Sequence, residues 1–339
     1  MLGKILLVSE KSTINLALQG GGSHGAYTWG VLDALLKDQR FSFENISGTS
    51  SGAINATLLA SGYLQNKEEG ARNVLREFWE NIPGNSNSSS WLNSANTLSI
   101  PFSLVKNEVS KYFRTKNQQP PVNQLQAILE KNIDFELLSK YSPFGLYITA
   151  TYANSGKKRI FTTSEISCQA LLASACLPGI FPTVYIKDEP YWDGGFCANP
   201  AILPLINHAK YQDILIVMLQ PLQYSNLPSN TFSTSNRINR LVLNSTFLSE
   251  MQMIAQIQNI PKTTPKPSEL EKRIFNTRFH LIEAHRQLAE LSITTMLNPN
   301  KKLISKLFDY GKESCRQWID KNIAKIGKSS SININNAFR

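Results

Sequence analysis

Two glycine-framed turns near the start of the chain carry residue types that can perform acyl transfer. The first reads Gly20-Gly21-Gly22-Ser23-His24-Gly25 and the second Gly48-Thr49-Ser50-Ser51-Gly52. The second has the G-x-S-x-G spacing of a nucleophile elbow, in which Ser50 would sit on a strained strand-to-helix turn between small residues. The first can present backbone N–H groups at a helix start, where developing negative charge is stabilised. A serine hydroxyl is a weak nucleophile until a base takes its proton, so a third group is needed. The chain has four histidines, His24, His208, His280 and His285. His24 lies inside the first turn, and His280 and His285 fall in what reads as a long basic helix. His208 stands 15 positions after Asp193 and follows an apolar segment. Asp193, in Trp192-Asp193-Gly194-Gly195, is the better candidate base, because the two following glycines permit a tight turn and close backbone approach. Alternatives stay open at this level. The first turn also fits the G-x-G-x-x-G dinucleotide fingerprint, with Glu44 as the acid of the next strand, or a purely structural turn. Asp193 alone reads equally as an ordinary turn residue.

The elements around these turns alternate strand and helix. Residues 13–18 alternate as a strand that leads into the first turn, and residues 26–37 form a helix with Val31, Leu32, Leu35 and Leu36 on one side. A second strand over 41–46 leads to the second turn, and a small-residue helix over 53–64 follows. This order predicts a parallel sheet with helical crossovers. Residues 68–80 read as an amphipathic helix. The Asn- and Ser-rich stretch 83–101 reads as a loop or flap, and 98–113 is apolar enough to cover a site. Helical patterning returns over 122–132 and 135–138. Residues 144–151 predict a strand with 159–163 as its hairpin partner, 167–177 a small-residue helix, and 213–219 a strand buried on both faces. Beyond residue 223, helices are expected near 237–257, 268–295 and 301–326, and the tail 329–339 is expected to be disordered. The predicted division is a catalytic domain over 1–222, a basic helical extension over 223–328, and the tail.

Bulk composition narrows the function classes. Of 339 residues, 42% are hydrophobic, enough for a sizeable core. No apolar run approaches the roughly 20 residues that span a bilayer. The short apolar run at the N-terminus is followed at once by Glu10 and Lys11, unlike a secretory signal peptide. The expected location is cytoplasmic or peripheral to a membrane, with signal-peptide-independent secretion open. Cys168, Cys176, Cys197 and Cys315 form no C-x-x-C pair and no metal-ligand spacing, so reduced thiols are expected. The net charge of +10 is uneven: residues 1–200 carry +1 and residues 201–339 carry +9. A basic surface attracts anionic membrane or nucleic acid. No zinc-finger or RNP-like spacing supports nucleic acid. Oligomeric state is not legible in the sequence.

Taken together, four blocks resemble the patatin-like phospholipase family. They are the first glycine turn, the elbow Gly48-Thr49-Ser50-Ser51-Gly52-Ala53, the run Ala173-Ser174-Ala175-Cys176-Leu177-Pro178-Gly179-Ile180-Phe181-Pro182, and Tyr191-Trp192-Asp193-Gly194-Gly195 followed by Asn199-Pro200. The resemblance implies a three-layer α/β fold, a central mostly parallel sheet with helices on both faces, here with a C-terminal helical extension. It implies a serine acyl hydrolase with Ser50 as nucleophile and Asp193 as base, without a catalytic histidine. The N–H groups of Gly21, Gly22 and Ser23 would form the oxyanion hole, with Ser51 N–H as an addition. Gly20, Gly25, Gly48, Gly52, Gly194 and Gly195 would support the motifs. The implied substrate is a lipid or phospholipid ester, with no metal or cofactor, and the +9 balance of residues 201–339 adds an expected docking on an anionic membrane surface. A general carboxylesterase, or a non-catalytic nucleotide- or lipid-binding module, is the alternative. The family commonly has Arg or Lys where this chain has His24, and a neutral imidazole there supplies less positive charge. The form Gly-Gly-Gly-Ser-His-Gly-Ala, followed by Trp29-Gly30-Val31-Leu32-Asp33, is similar to a bacterial subgroup of the family.

Overall fold

Strands without polar alternation belong in a sheet that is covered on both faces. The computed structural model describes residues 11–82, 121–224, 226–260, 267–284, 288, 291, 294–297 and 300–338. The elements run β1 (Ser12–Leu18), a 3-10 turn (Gly22–His24), α1 (Gly25–Asp38), β2 (Phe41–Thr49), α2 (Ser51–Asn81), α3 (Pro121–Asn132) and α4 (Phe135–Tyr141). There follow β3 (Gly145–Tyr152), β4 (Lys158–Thr162), α5 (Cys168–Ser174), β5 (Val184–Ile186), β6 (Glu189–Asp193), α6 (Leu203–His208) and β7 (Asp213–Met218). The C-terminal part supplies α7 (Thr231–Gln258), α8 (Glu269–Asn276), β8 (Arg278–Glu283), α9 (Thr294–Leu297), α10 (Lys301–Asn322) and α11 (Ile334–Phe338).

The eight strands form one sheet in the order β5-β6-β3-β2-β1-β7-β8, with β4 also paired to β3. The run β3-β2-β1-β7-β8 is parallel throughout, and β4, β5 and β6 add antiparallel pairs. The central strands divide their side chains between two cores. Ile14, Leu16, Leu18, Leu215 and Val217 enter one; Ala17, Ile214, Ile216 and Met218 enter the other. The chain moves from β1 to β2 on one side and places β7 on the other. The carboxyl ends of these strands therefore flank a switch point, where open α/β sheets bind ligands. The glycine turn follows β1 and the elbow follows β2 at that end.

The C-terminal part packs directly against the sheet and adds a strand to it. β8 pairs in parallel with β7, α10 joins the first core, and α7, α8 and α11 close the second. At the crossing of α1 and α10 a Cβ on Gly30 would lie 2.0 Å from the Phe308 carbonyl oxygen, and one on Gly311 1.9 Å from that of Tyr27. Backbones meet there because neither residue has a side chain. Buried Asp33 binds Arg72 at 2.7 Å and Lys312 at 3.5 Å, tying α1 to α2 and α10.

The helices expected over 53–64 and 68–80 are both present: α2 breaks between them, with non-helical backbone at Asn66 and Lys67. Two further expectations need correction. The long basic helix expected over 268–295 is α8 followed by β8. His280 lies buried in β8, where it and Arg278 both bind Asp213 (His280 Nε2 at 3.0 Å, Arg278 Nη2 at 2.7 Å), so tertiary pairing overrides a segment with no clear period. The tail expected to be disordered forms α11. Its polar composition hid two apolar residues four apart: Ile334 and Phe338 are buried, and Phe338 packs edge-on against Phe247. The flap expected over 83–113 lies outside the described residues.

Candidate active site

Ser50 stands between the end of β2 and the start of α2 with φ 53° and ψ −122°. A non-glycine residue with positive φ is strained by about 1–3 kcal/mol and persists only where its surroundings impose it. Here they do. A Cβ on Gly48 would lie 2.6 Å from the Gly52 carbonyl oxygen, and one on Gly52 2.1 Å from that of Leu18. The small flanking residues let the elbow fold against β1. The Ser50 N–H donates to Ser174 Oγ at 2.9 Å, so α5 holds the elbow from the side.

Asp193 closes β6 and pairs with Ala150 of β3. Its backbone is pinned on both sides: its N–H donates to the Cys176 carbonyl at 2.7 Å, and its carbonyl accepts from Thr151 Oγ1 at 2.8 Å. The side chain is buried and accepts from Gly195 N–H at 2.7 Å. Burial pushes its carboxyl up to about 7, against the opposite pull of the Gly195 N–H and the Ser50 hydroxyl. A Cβ on Gly194 would lie 2.2 Å from the Thr149 carbonyl oxygen. Glycine at that position lets the strand end come close to β3 and, with Thr49 Cγ2 3.0 Å from the same Cβ, to the elbow.

The first turn lies directly on the second. A Cβ on Gly20 would meet Ser50 Cβ at 2.8 Å, and one on Gly25 would meet Ser51 Cβ at 2.7 Å. The Gly20 N–H donates to Asn199 Oδ1 at 2.7 Å. The Gly21 N–H donates to Ser51 Oγ at 3.0 Å. Gly21, expected as an oxyanion donor, therefore has its N–H engaged in holding the two turns together. Gly22 has φ 57°, and it and Ser23 open the 3-10 turn, ahead of its first backbone bond, from His24 N–H to the Gly21 carbonyl. Among the described residues the N–H groups of Gly22 and Ser23 donate to no protein acceptor. Ser51, first residue of α2, adds an N–H at a helix start.

His24 is fully buried, with Nε2 2.8 Å from Thr295 Oγ1. Burial, reinforced by the charge of Arg240, pushes its imidazole down to about 3, so it is neutral at ordinary pH. Ser23 Oγ donates to the Thr295 carbonyl at 2.5 Å, and a Cβ on Gly22 would strike the Met296 carbonyl oxygen at 2.2 Å. Segment α9 thus seats against the glycine turn, a contact that nothing local in the sequence signals. Sequence reasoning also missed the roles of Gln19, Ser174 and Asn199. Gln19 Oε1 accepts from the N–H groups of Leu219 and Gln220, and its Nε2 donates to Asn244 Oδ1 and the Asn199 carbonyl. The Asn199-Pro200 pair after the Asp-Gly-Gly block was the available signal for one of them.

The competing readings lose their partners. His208 stacks on Tyr147 with ring centroids 5.5 Å apart and makes no bond to Ser50 or Asp193. The Glu44 carboxylate accepts from the N–H groups of Lys210 and Tyr211, on the loop before β7, and does not face the glycine turn.

An α/β sheet carrying an elbow serine, a buried carboxyl and a glycine turn at its switch point has the layout of an acyl-transfer protein. Residues 16–206, more than half of the chain, match the family described as patatin-like phospholipase, and the chain belongs to that family. Membership supports a lipid hydrolase. An uncharacterized protein of Acanthamoeba polyphaga mimivirus is 28% identical over 203 residues, which span 57% of this chain and 61% of the relative. Among solved structures, VipD from Legionella pneumophila aligns with a TM-score of 0.42 at 15% identity, covering 91% of this chain and 67% of that one. The type III effector ExoU of Pseudomonas aeruginosa aligns with a TM-score of 0.39 at 16% identity, covering 92% of this chain and 54% of that one. The chain thus spans about three fifths of the viral relative and about half of ExoU. Among the described residues no helix is long and apolar enough to cross a membrane.

Proposed function

We propose that this chain hydrolyses carboxylic esters of lipids, in the manner of a phospholipase A or lysophospholipase, with Ser50 and Asp193 as a catalytic dyad. The observation that carries the reading is the strained elbow serine, Ser50, set beside Asp193, a buried carboxyl that burial pushes up to about 7. A base poised close to the working pH takes a proton more effectively than an ordinary carboxylate. Ser50 Oγ attacks the ester carbonyl carbon while its proton passes to Asp193. The carbonyl oxygen, now anionic, turns toward the N–H groups of Gly22, Ser23 and Ser51. The C–O bond to the alcohol breaks and Asp193 returns the proton to the leaving oxygen. Water then attacks the acyl-Ser50 ester with Asp193 again as base, which releases the carboxylic acid and restores the serine. Removing one oxyanion donor from such a site costs about 100–1,000-fold in rate.

The Gly-Gly-Gly-Ser-His-Gly motif is similar to that of a bacterial subgroup of the family, which supports reading the chain with that subgroup. The +9 balance of residues 201–339 suits a peripheral contact with anionic bilayers, where the lipid substrate resides. Hydrolysis of a panel of phospholipids, lysophospholipids and simple esters, with Ser50→Ala as control, tests the reading. Release of fatty acid that depends on Ser50 is expected. Turnover of short soluble esters with no lipid turnover would reduce the function to a general carboxylesterase, and equal turnover by Ser50→Ala would remove it. Vesicle co-sedimentation tests the surface: stronger binding to anionic than to neutral vesicles is expected, and equal binding would remove the electrostatic part.

A further inference from the structure

Helix α7 carries one guanidinium into the interior beside the site. Arg240 is 3% exposed. Its Nη1 donates to Gln220 Oε1 at 3.0 Å and its Nη2 to the Leu291 carbonyl. Both acceptors are neutral, and Arg240 forms no ion pair with a carboxylate among the described residues. Other guanidiniums held against the core are paired: Arg72 with Asp33 at 2.7 Å, and Arg278 with Asp213 at 2.7 Å. A buried cation unpaired among the described residues is costly, and a fixed positive charge facing developing negative charge stabilises it.

The connections of Arg240 lead to the glycine turn. Gln220, its acceptor, donates its N–H to Gln19 Oε1 at 2.9 Å, and Gln19 immediately precedes Gly20. Gln19 Nε2 donates to Asn244 Oδ1 at 3.0 Å, one helical turn beyond Arg240 on α7. The Leu243 carbonyl accepts from Asn199 Nδ2 at 3.2 Å, and Asn199 Oδ1 receives the Gly20 N–H. A Cβ on Gly21 would lie 2.9 Å from Leu219 Cδ1, next to Gln220. His24, inside the turn, feels the Arg240 charge and is neutral. The turn's own side chains therefore bring no positive charge, and the guanidinium behind it does.

We infer that Arg240 supplies the fixed positive charge that stabilises the oxyanion formed at the Gly22–Ser23 turn. The inference rests on the ester-hydrolase reading above. Arg240 acts through the field and through Gln220 and Gln19 rather than by touching the substrate. A unit charge acting through a partly screened interior is worth about 10- to 100-fold in rate.

The test measures Arg240→Gln, Arg240→Lys and Gln220→Glu on a neutral short-chain ester and on a phosphate-bearing lipid. The affinity of an alkylboronic acid, which becomes a tetrahedral anion on a serine, is measured by thermal shift on the same proteins. Arg240→Gln is expected to lower kcat on both substrates by about 10- to 100-fold with little change in KM, and to weaken the boronic acid by a similar factor. Arg240→Lys keeps the charge and most of both. Gln220→Glu keeps the guanidinium but neutralises it, lowers kcat in the same way, and provides the reading should Arg240→Gln fail to fold. Three results would overturn the inference: wild-type kcat in Arg240→Gln or in Gln220→Glu, a loss confined to KM for the phosphate-bearing lipid, or impaired kcat in every variant with unaltered boronic acid affinity. A wild-type protein that neither hydrolyses esters nor binds the boronic acid would defeat the hydrolase reading first and this inference with it.

Discussion

Asp193→Asn should abolish hydrolysis and yet make the protein more stable above neutral pH. The buried carboxyl is pushed from its usual 3.8 up to about 7, chiefly by loss of hydration. Between those values the folded protein holds a proton that the unfolded chain has released, so folding stability falls as pH rises through that window. Three pKa units correspond to about 4 kcal/mol at 1.36 kcal/mol per unit. Asparagine removes this penalty while keeping an oxygen for the Gly195 N–H and offering an amide N–H to Ser50 Oγ. For a chain of this length the unfolding entropy is about 0.7 kcal/mol per kelvin, so the variant should melt about 5 °C higher at pH 8. Below about pH 3, where the carboxyl is protonated in both states, the difference should vanish. Thermal melts of both proteins across about pH 3–9 measure this directly. Equal melting points at pH 8, a variant that melts lower, or a difference independent of pH would refute the reasoning that Asp193 is ionised at a cost.

The same carboxyl governs the rate. kcat/KM should climb as Asp193 loses its proton, with a midpoint near 7, and level off above it; a rate that falls through that range would exclude an ionised Asp193 as base. Gly22→Ala would place a methyl 2.2 Å from the Met296 carbonyl oxygen at φ 57°, so both rate and melting temperature should fall, the rate by about 100-fold or more. Asn199→Ala removes the acceptor of the Gly20 N–H and should destabilise the protein by about 1–3 kcal/mol, read by denaturant unfolding, with a slower kcat because the glycine turn loses its anchor.

The chemistry-bearing turns were legible because their constraints are local. Gly20, Gly48 and Gly52 are glycines since each has another backbone within about 3 Å of where a Cβ would stand, and spacing alone exposes such positions. The parallel sheet was legible from the apolar strands 13–18 and 213–219. What the sequence did not reveal depends on distant partners. His280 is in a strand because Asp213 gathers it with Arg278, and residues 334–338 are ordered because Phe247 offers a surface. The engagement of Gly21 N–H by Ser51 Oγ is likewise a contact between two turns, invisible in either alone. Charge counted along the chain sets the basic C-terminal part apart from the rest. In space its strand completes the sheet, α7 borders the site through Leu243 and Asn244, and α9 rests on the glycine turn.

The central claim is that Ser50 is a nucleophile activated by Asp193. Labelling with a fluorophosphonate probe, followed by peptide mapping, tests it most directly. The account predicts a single adduct on Ser50 in the wild type, a rate of labelling that rises with pH through about 7, a severely slowed adduct in Asp193→Asn, and none in Ser50→Ala. An adduct on another residue, or labelling of Asp193→Asn at the wild-type rate, would contradict it.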